Sequence, residues 1–77
     1  MAKITIETTP EEQAKVLKAL ETLNGEVTPV STIANMAGLS PSRTRYALID
    51  LVDACKIERV AHKAFNKHYV RYSYNIL

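Results

Sequence analysis

Four side chains near the middle of the sequence, Ser42, Arg43, Arg45 and Tyr46, are polar and closely spaced enough to act on one partner. An arginine guanidinium is a planar fork of N–H donors that can grip two acceptors at once, on a guanine edge or on a phosphate. A serine at a helix start can reach a phosphate beside the free N–H groups of the first turn. Tyrosine can stack or donate. A second group, Lys63, Asn66, Lys67 and Arg71, lies toward the C-terminus and has the charge to hold an anionic backbone. Catalytic and metal chemistry find little support. Cys55, His62 and His68 are the soft or imidazole ligands, at separations of 7 and 6, which match no common zinc spacing. There is no Gly-rich phosphate loop and no paired carboxylate in a cleft. The expectation is no enzyme, no metal and no cofactor.

The elements that must position these groups lie in the stretch from Val30 to Cys55, VSTIANMAGLSPSRTRYALIDLVDAC. Ile33, Ala34 and Ala37 recur at helical spacing until Gly38 interrupts them. Ser40 is a strong N-cap, and Pro41 fits the first helical turn. A new apolar rhythm then runs Thr44, Leu48, Leu51, Cys55, at steps of four, three and four. Two helices joined by a short Gly-containing turn make a helix-turn-helix. With that rhythm inward, Ser42, Arg43, Arg45, Tyr46, Ile49, Asp50 and Asp53 point outward, the basic groups in the first turns and the acids in the last. Cys55 is expected to be buried as a small hydrophobe.

Upstream, Lys3–Thr8 alternates and predicts a short strand. Thr9-Pro10-Glu11-Glu12 predicts a capped helix start, with Glu12 closing a capping box. That helix carries Val16, Leu17, Leu20 and Leu23 and ends at Asn24-Gly25, where glycine can turn left-handed. Val27 is expected to form a minimal strand and Thr28 to cap a helix over about 29–37, followed by one over about 41–54. Downstream the period changes to two. Residues 56–62 and 69–76 predict a hairpin over about 57–76, with Val70, Tyr72, Tyr74 and Ile76 on one face of its second strand.

Length and charge bound the rest. A chain of 77 residues, 47% of them apolar, is expected to be one small globular domain over 1–77. No apolar run is long enough for a membrane span, and the start is too short and polar for a signal peptide. A single cysteine fits a reducing cytoplasm. Net charge is +2, unevenly spread: residues 1–40 carry three lysines against five glutamates, and residues 41–77 carry seven basic residues against three acids. A basic half that begins at the third helix suggests a negatively charged partner.

The order helix, short strand, helix, helix, hairpin is that of an α+β winged helix-turn-helix. The segment GLSPSRTRYALIDLVDACKIERV, residues 38–60, resembles the core of small bacterial or phage winged-helix regulators. It is similar to the multiple-antibiotic-resistance regulators and, in size, to the small fimbrial-operon regulators. One departure is Cys55, where that family often has glycine; a cysteine there is expected to take an ordinary helical or extended backbone. The resemblance implies double-stranded DNA as partner, in transcription regulation, with the third helix in the major groove and the wing on the backbone. The site would comprise Ser42, Arg43, Arg45, Tyr46, Lys63, Asn66, Lys67 and Arg71. No small-molecule ligand is evident. A homodimer is compatible with the chain, the Ile4/Ile6 strand being the candidate contact. A winged-helix module that binds a polymerase, replication or regulatory protein is the alternative.

Overall fold

The computed structural model describes residues 7–63 and 70–77, and of Lys63 the backbone alone. The elements are α1 (Pro10–Leu23), α2 (Val30–Ala37), α3 (Pro41–Asp53), β1 (Ile57–Lys63) and β2 (Val70–Ile76). Three helices followed by a two-stranded antiparallel hairpin make a winged helix-turn-helix. Among the described residues no helix is long and apolar enough to cross a membrane. Of the strand expected at 3–8, Glu7 and Thr8 are described and lie in no strand; the remainder falls outside the described residues.

Each helix begins and ends for a local reason. Thr9 caps α1 in a full capping box: its hydroxyl accepts from the Glu12 N–H, and its own N–H donates to the Glu12 carboxylate. Asn24 then turns left-handed at φ 49° and Gly25 follows at φ 81°. A Cβ on Gly25 would sit 2.6 Å from Asn75 Oδ1, the tip of an exposed side chain that can swing aside, so it is the left-handed backbone that favours glycine here. The start of α2 differs from expectation. Its N-cap is Pro29, which offers no side-chain bond, and the Thr28 hydroxyl instead donates to the Glu26 carbonyl. Nor does Val27 form a strand. What remains there is one backbone bond, from Thr28 N–H to the Tyr72 carbonyl at 3.3 Å, tying this connection to the wing. Ser40 caps α3 as expected, accepting from the Arg43 N–H.

The core is one cluster fed by every element: Val16, Ala19 and Leu20 of α1, Ile33 and Ala37 of α2, Ala47, Leu48 and Leu51 of α3, Ile57 of β1 and Tyr74 of β2. Buried alanines on all three helices let their axes approach closely. In the hairpin, Ile57 pairs with Ile76, Arg59 with Tyr74 and Ala61 with Tyr72. That face packs on the helices at Ile57 and Tyr74. Val70 and Ile76, at the two ends of the strand, lie on the same face yet are exposed. On the other face His62 Nε2 meets Ser73 Oγ at 2.8 Å.

Two residues of the α3 rhythm behave unexpectedly. Thr44 is fully buried, as its spacing requires, but its Oγ1 has no hydrogen-bond partner. Cys55 is not buried. The helix ends at Asp53, and Cys55 is exposed at φ 58°, a left-handed backbone that is costly for a residue bearing Cβ. The apolar period therefore stops one turn earlier than the spacing implied, and the chain turns toward β1 with the geometry a glycine would take. Cys55→Gly is expected to stabilise the fold by about 0.5–1 kcal/mol, read as a higher melting midpoint. An unchanged or lower midpoint would show the turn to be unstrained. Thr44→Val replaces an orphaned hydroxyl with a methyl of the same shape and should add about 1 kcal/mol in urea unfolding. A loss of stability would mean that the hydroxyl finds a partner in solution.

Candidate nucleic-acid interface

Four residues of α3, Thr44, Ala47, Leu48 and Leu51, are buried, and they fix how the helix is rotated about its own axis. The opposite side carries Ser42, Arg45 and Ile49, all exposed, with Tyr46 half-buried. Arg45 stands between two grooves. One, of about 700 Å³, runs between the start of α2 and the wing and is lined by Ser31, Pro41, Arg45, Arg71, Tyr72 and Val70, among others. The second, of about 240 Å³, lies between α3 and β1 and is lined by Arg45, Ile49, Val52, Asp53, Arg59 and Tyr74, among others. The Arg59 guanidinium carbon lies 4.8 Å from the centroid of the Tyr72 ring, a cation–π distance. Arg45 thus shares the larger groove with Arg71 and the smaller with Arg59, the two hairpin arginines standing on opposite faces of the sheet. Burial raises the pKa of Tyr74, so its hydroxyl stays neutral.

Arg43 faces the other way. Its Nε and Nη2 donate to the two oxygens of Glu12 at 2.8 and 2.5 Å, and Nη2 also reaches the Glu7 carbonyl. This is the single ion pair among the described residues. The expectation of Arg43 as a solvent-facing cation is therefore corrected: its position on the helix turns it toward α1, where a carboxylate grips it at both nitrogens. Glu12 closes the α1 cap and holds α3 with the same carboxylate. The bond to Arg43, followed by that to Thr9, lowers the Glu12 pKa from 4.5 to about 2. Close by, Asp50 Oδ2 accepts from both the hydroxyl and the N–H of Thr8, at 2.6 and 3.0 Å. Those bonds hold the Asp50 carboxyl below its ordinary pKa and keep its charge on the α1 side of the helix.

The other expected site residues divide. Arg71 is exposed at the rim of the larger groove. Lys63 ends β1, paired with Val70. Asn66 and Lys67 lie outside the described residues. Arg59 and Ser31 were not anticipated. Arg59 could have been found from strand alternation, since it shares a face with Tyr72 and Tyr74 once the hairpin register is known. Ser31 had no signal, because its place depends on where α2 starts.

No protein-family model matches the sequence, and no curated protein matches it. Among solved structures the chain is similar to that of a zinc-responsive MarR family member, Lactococcus lactis ZitR, with a TM-score of 0.56 and 18% identity. The match covers 100% of this chain and 49% of that one, so the chain spans about half the length of that protein. At this identity the likeness is one of fold, and it agrees with the winged helix described above. Among the described residues no three His, Cys, Asp or Glu side chains come together as a metal-binding group.

The Glu12–Arg43 pair has a pH signature. A carboxyl whose pKa is depressed on folding stabilises the fold above its unfolded value, near 4.5, and loses that contribution as pH falls through about 2. Glu12→Gln keeps a capping-box side chain but removes the charge. The stability gap between wild type and Glu12→Gln, measured by urea unfolding, should therefore be widest near neutrality and close between pH 4.5 and 2. A gap independent of pH would mean that the ion pair does not form in solution.

Proposed function

We propose that this chain is a double-stranded DNA-binding module of transcription regulation, with α3 in the major groove and the hairpin on the backbone. The observation that carries the proposal is the set Arg45, Arg59 and Arg71. These three cations have no carboxylate partner among the described residues, and they line the two grooves where the reading helix of a winged helix meets its wing. Two of the acidic side chains near this face are drawn elsewhere, Glu12 to Arg43 and Asp50 to Thr8, which leaves Asp53 in the last turn of α3 as the acid lining the smaller groove. Ser42 and Tyr46 belong to the same reading face, and the sequence adds Lys63 and Lys67 as cations and Asn66 as a polar group between the two strands. Arg43 serves this face by holding α3 against α1 and is not itself a contact.

A second reading has its own observation. The larger groove also has an apolar rim, Val27 and Val70, 42% and 50% exposed, which suits a polypeptide partner. The two readings separate by their response to salt. If four to six cations engage, log K for duplex should fall with log salt at a slope of roughly −4 to −5. Arg45→Gln and Arg71→Gln should each shallow that slope by about one, while Arg43→Gln should leave it unchanged. Titration of fluorescent duplex at several salt concentrations measures this. A protein that ignores duplex at low salt, yet captures one stoichiometric protein, would establish the second reading.

A further inference from the structure

Ile49 is the one side chain on the reading face of α3 with no polar group to offer, and it is 45% exposed. Its neighbours in the helix account for themselves: Leu48 and Leu51 are buried, Val52 packs against the core, and Asp50 is bonded to Thr8. Ile49 lies one helical turn beyond Arg45 and two beyond Ser42, so the three form a single exposed strip. Helical side chains lean toward the N-terminus, which carries the Ile49 methyl groups toward Arg45 and the smaller groove that both line. An aliphatic group is thus set beside Arg45 and Arg59, with Asp53 one turn further on, on the surface proposed to enter duplex.

We infer that Ile49 is a specificity residue that packs on the C5-methyl of a thymine. The inference rests on the DNA-binding reading and deepens it. In the major groove the base edges present hydrogen-bond donors and acceptors, and thymine alone among the four bases adds a methyl group. An aliphatic side chain placed there gains nothing from guanine, cytosine or adenine edges. It desolvates them and discriminates against them. Arg45 and Ile49 are four residues apart, a rise of about 6 Å, so the thymine should fall within about two base pairs of the Arg45 contact. Charge decides the occupant: the groove beside the strip is lined by two cations, Arg45 and Arg59, neither paired to an acid among the described residues, against one acid, Asp53, a positive balance that suits a polyanion and disfavours a second copy of the same surface.

The test removes the methyl from the DNA and leaves the protein unaltered. The full chain selects its preferred duplex from a random pool, and each thymine is then replaced in turn by uracil, which pairs identically. Wild type should lose about fourfold in affinity at one position, the worth of one buried methyl, and Ile49→Ala should bind the thymine and uracil duplexes equally. Circular dichroism checks that Ile49→Ala is folded, and the uracil series on wild type stands regardless of that variant. Equal affinity of wild type for every uracil duplex, with the salt slope intact, would overturn the inference and leave DNA binding standing. So would a protein that recovers no preferred sequence. Self-association lost in Ile49→Ala, with no uracil effect, would assign the strip to a second copy. Failure to bind any duplex would remove both this inference and the reading beneath it.

Discussion

The rotation of α3 about its own axis is the constraint on which everything else depends. Thr44, Ala47, Leu48 and Leu51 face the core, and their burial leaves the helix one orientation it can adopt without exposing apolar surface. Two polar ties on one flank secure it, Glu12 to Arg43 and Thr8 to Asp50. Both reach α3 from the start of α1, so the first helix acts as a brace for the third. The other flank is left to Arg45 and the hairpin. A helix carrying two arginines two residues apart therefore separates their tasks: 200° of helical rotation sends one to a carboxylate and the other to solvent.

This division shapes the charge that a partner would meet. Counted along the sequence, the basic residues of α3 are opposed by Asp50 and Asp53, and the face looks nearly neutral. In the fold, Asp50 is drawn to the Thr8 side and Arg43 is neutralised by Glu12, while Arg59 and Arg71 come from the hairpin to line grooves with Arg45, and Asp53 is the acid left beside the smaller groove. The cationic edge is thus assembled from three elements. Tyr72 beneath the Arg59 guanidinium holds that cation over the sheet without cancelling its charge.

Much of the architecture was legible because it is written in local chemistry. Thr9 with Glu12, Ser40 with Pro41, and the alternation through Tyr72 and Tyr74 each need only a few neighbouring residues, and each element formed where those signals placed it. The failures share a cause. Cys55 continued the apolar spacing of α3, but the helix had already ended at Asp53, and the exit demanded a left-handed residue that spacing cannot reveal. Thr28 looked like a cap, yet its carbonyl and hydroxyl sit one residue early, and Pro29 takes the position. In the site, Glu12 and Arg43 are 31 residues apart and Thr8 and Asp50 are 42 apart. Nothing local links them, so a helical wheel placed Arg43 outward with nothing to contradict it.

The central claim concerns two guanidinium groups and is best put to them directly. Arginine Nε–H resonances of the labelled protein, followed while duplex DNA is added at low salt, distinguish a bonded guanidinium from a free one. The Arg45 signal should move as duplex binds, while the Arg43 signal, bonded to Glu12, holds its position throughout. An Arg43 signal that shifts with duplex while that of Arg45 stays still would mean that the wrong side of the third helix has been taken for the reading face.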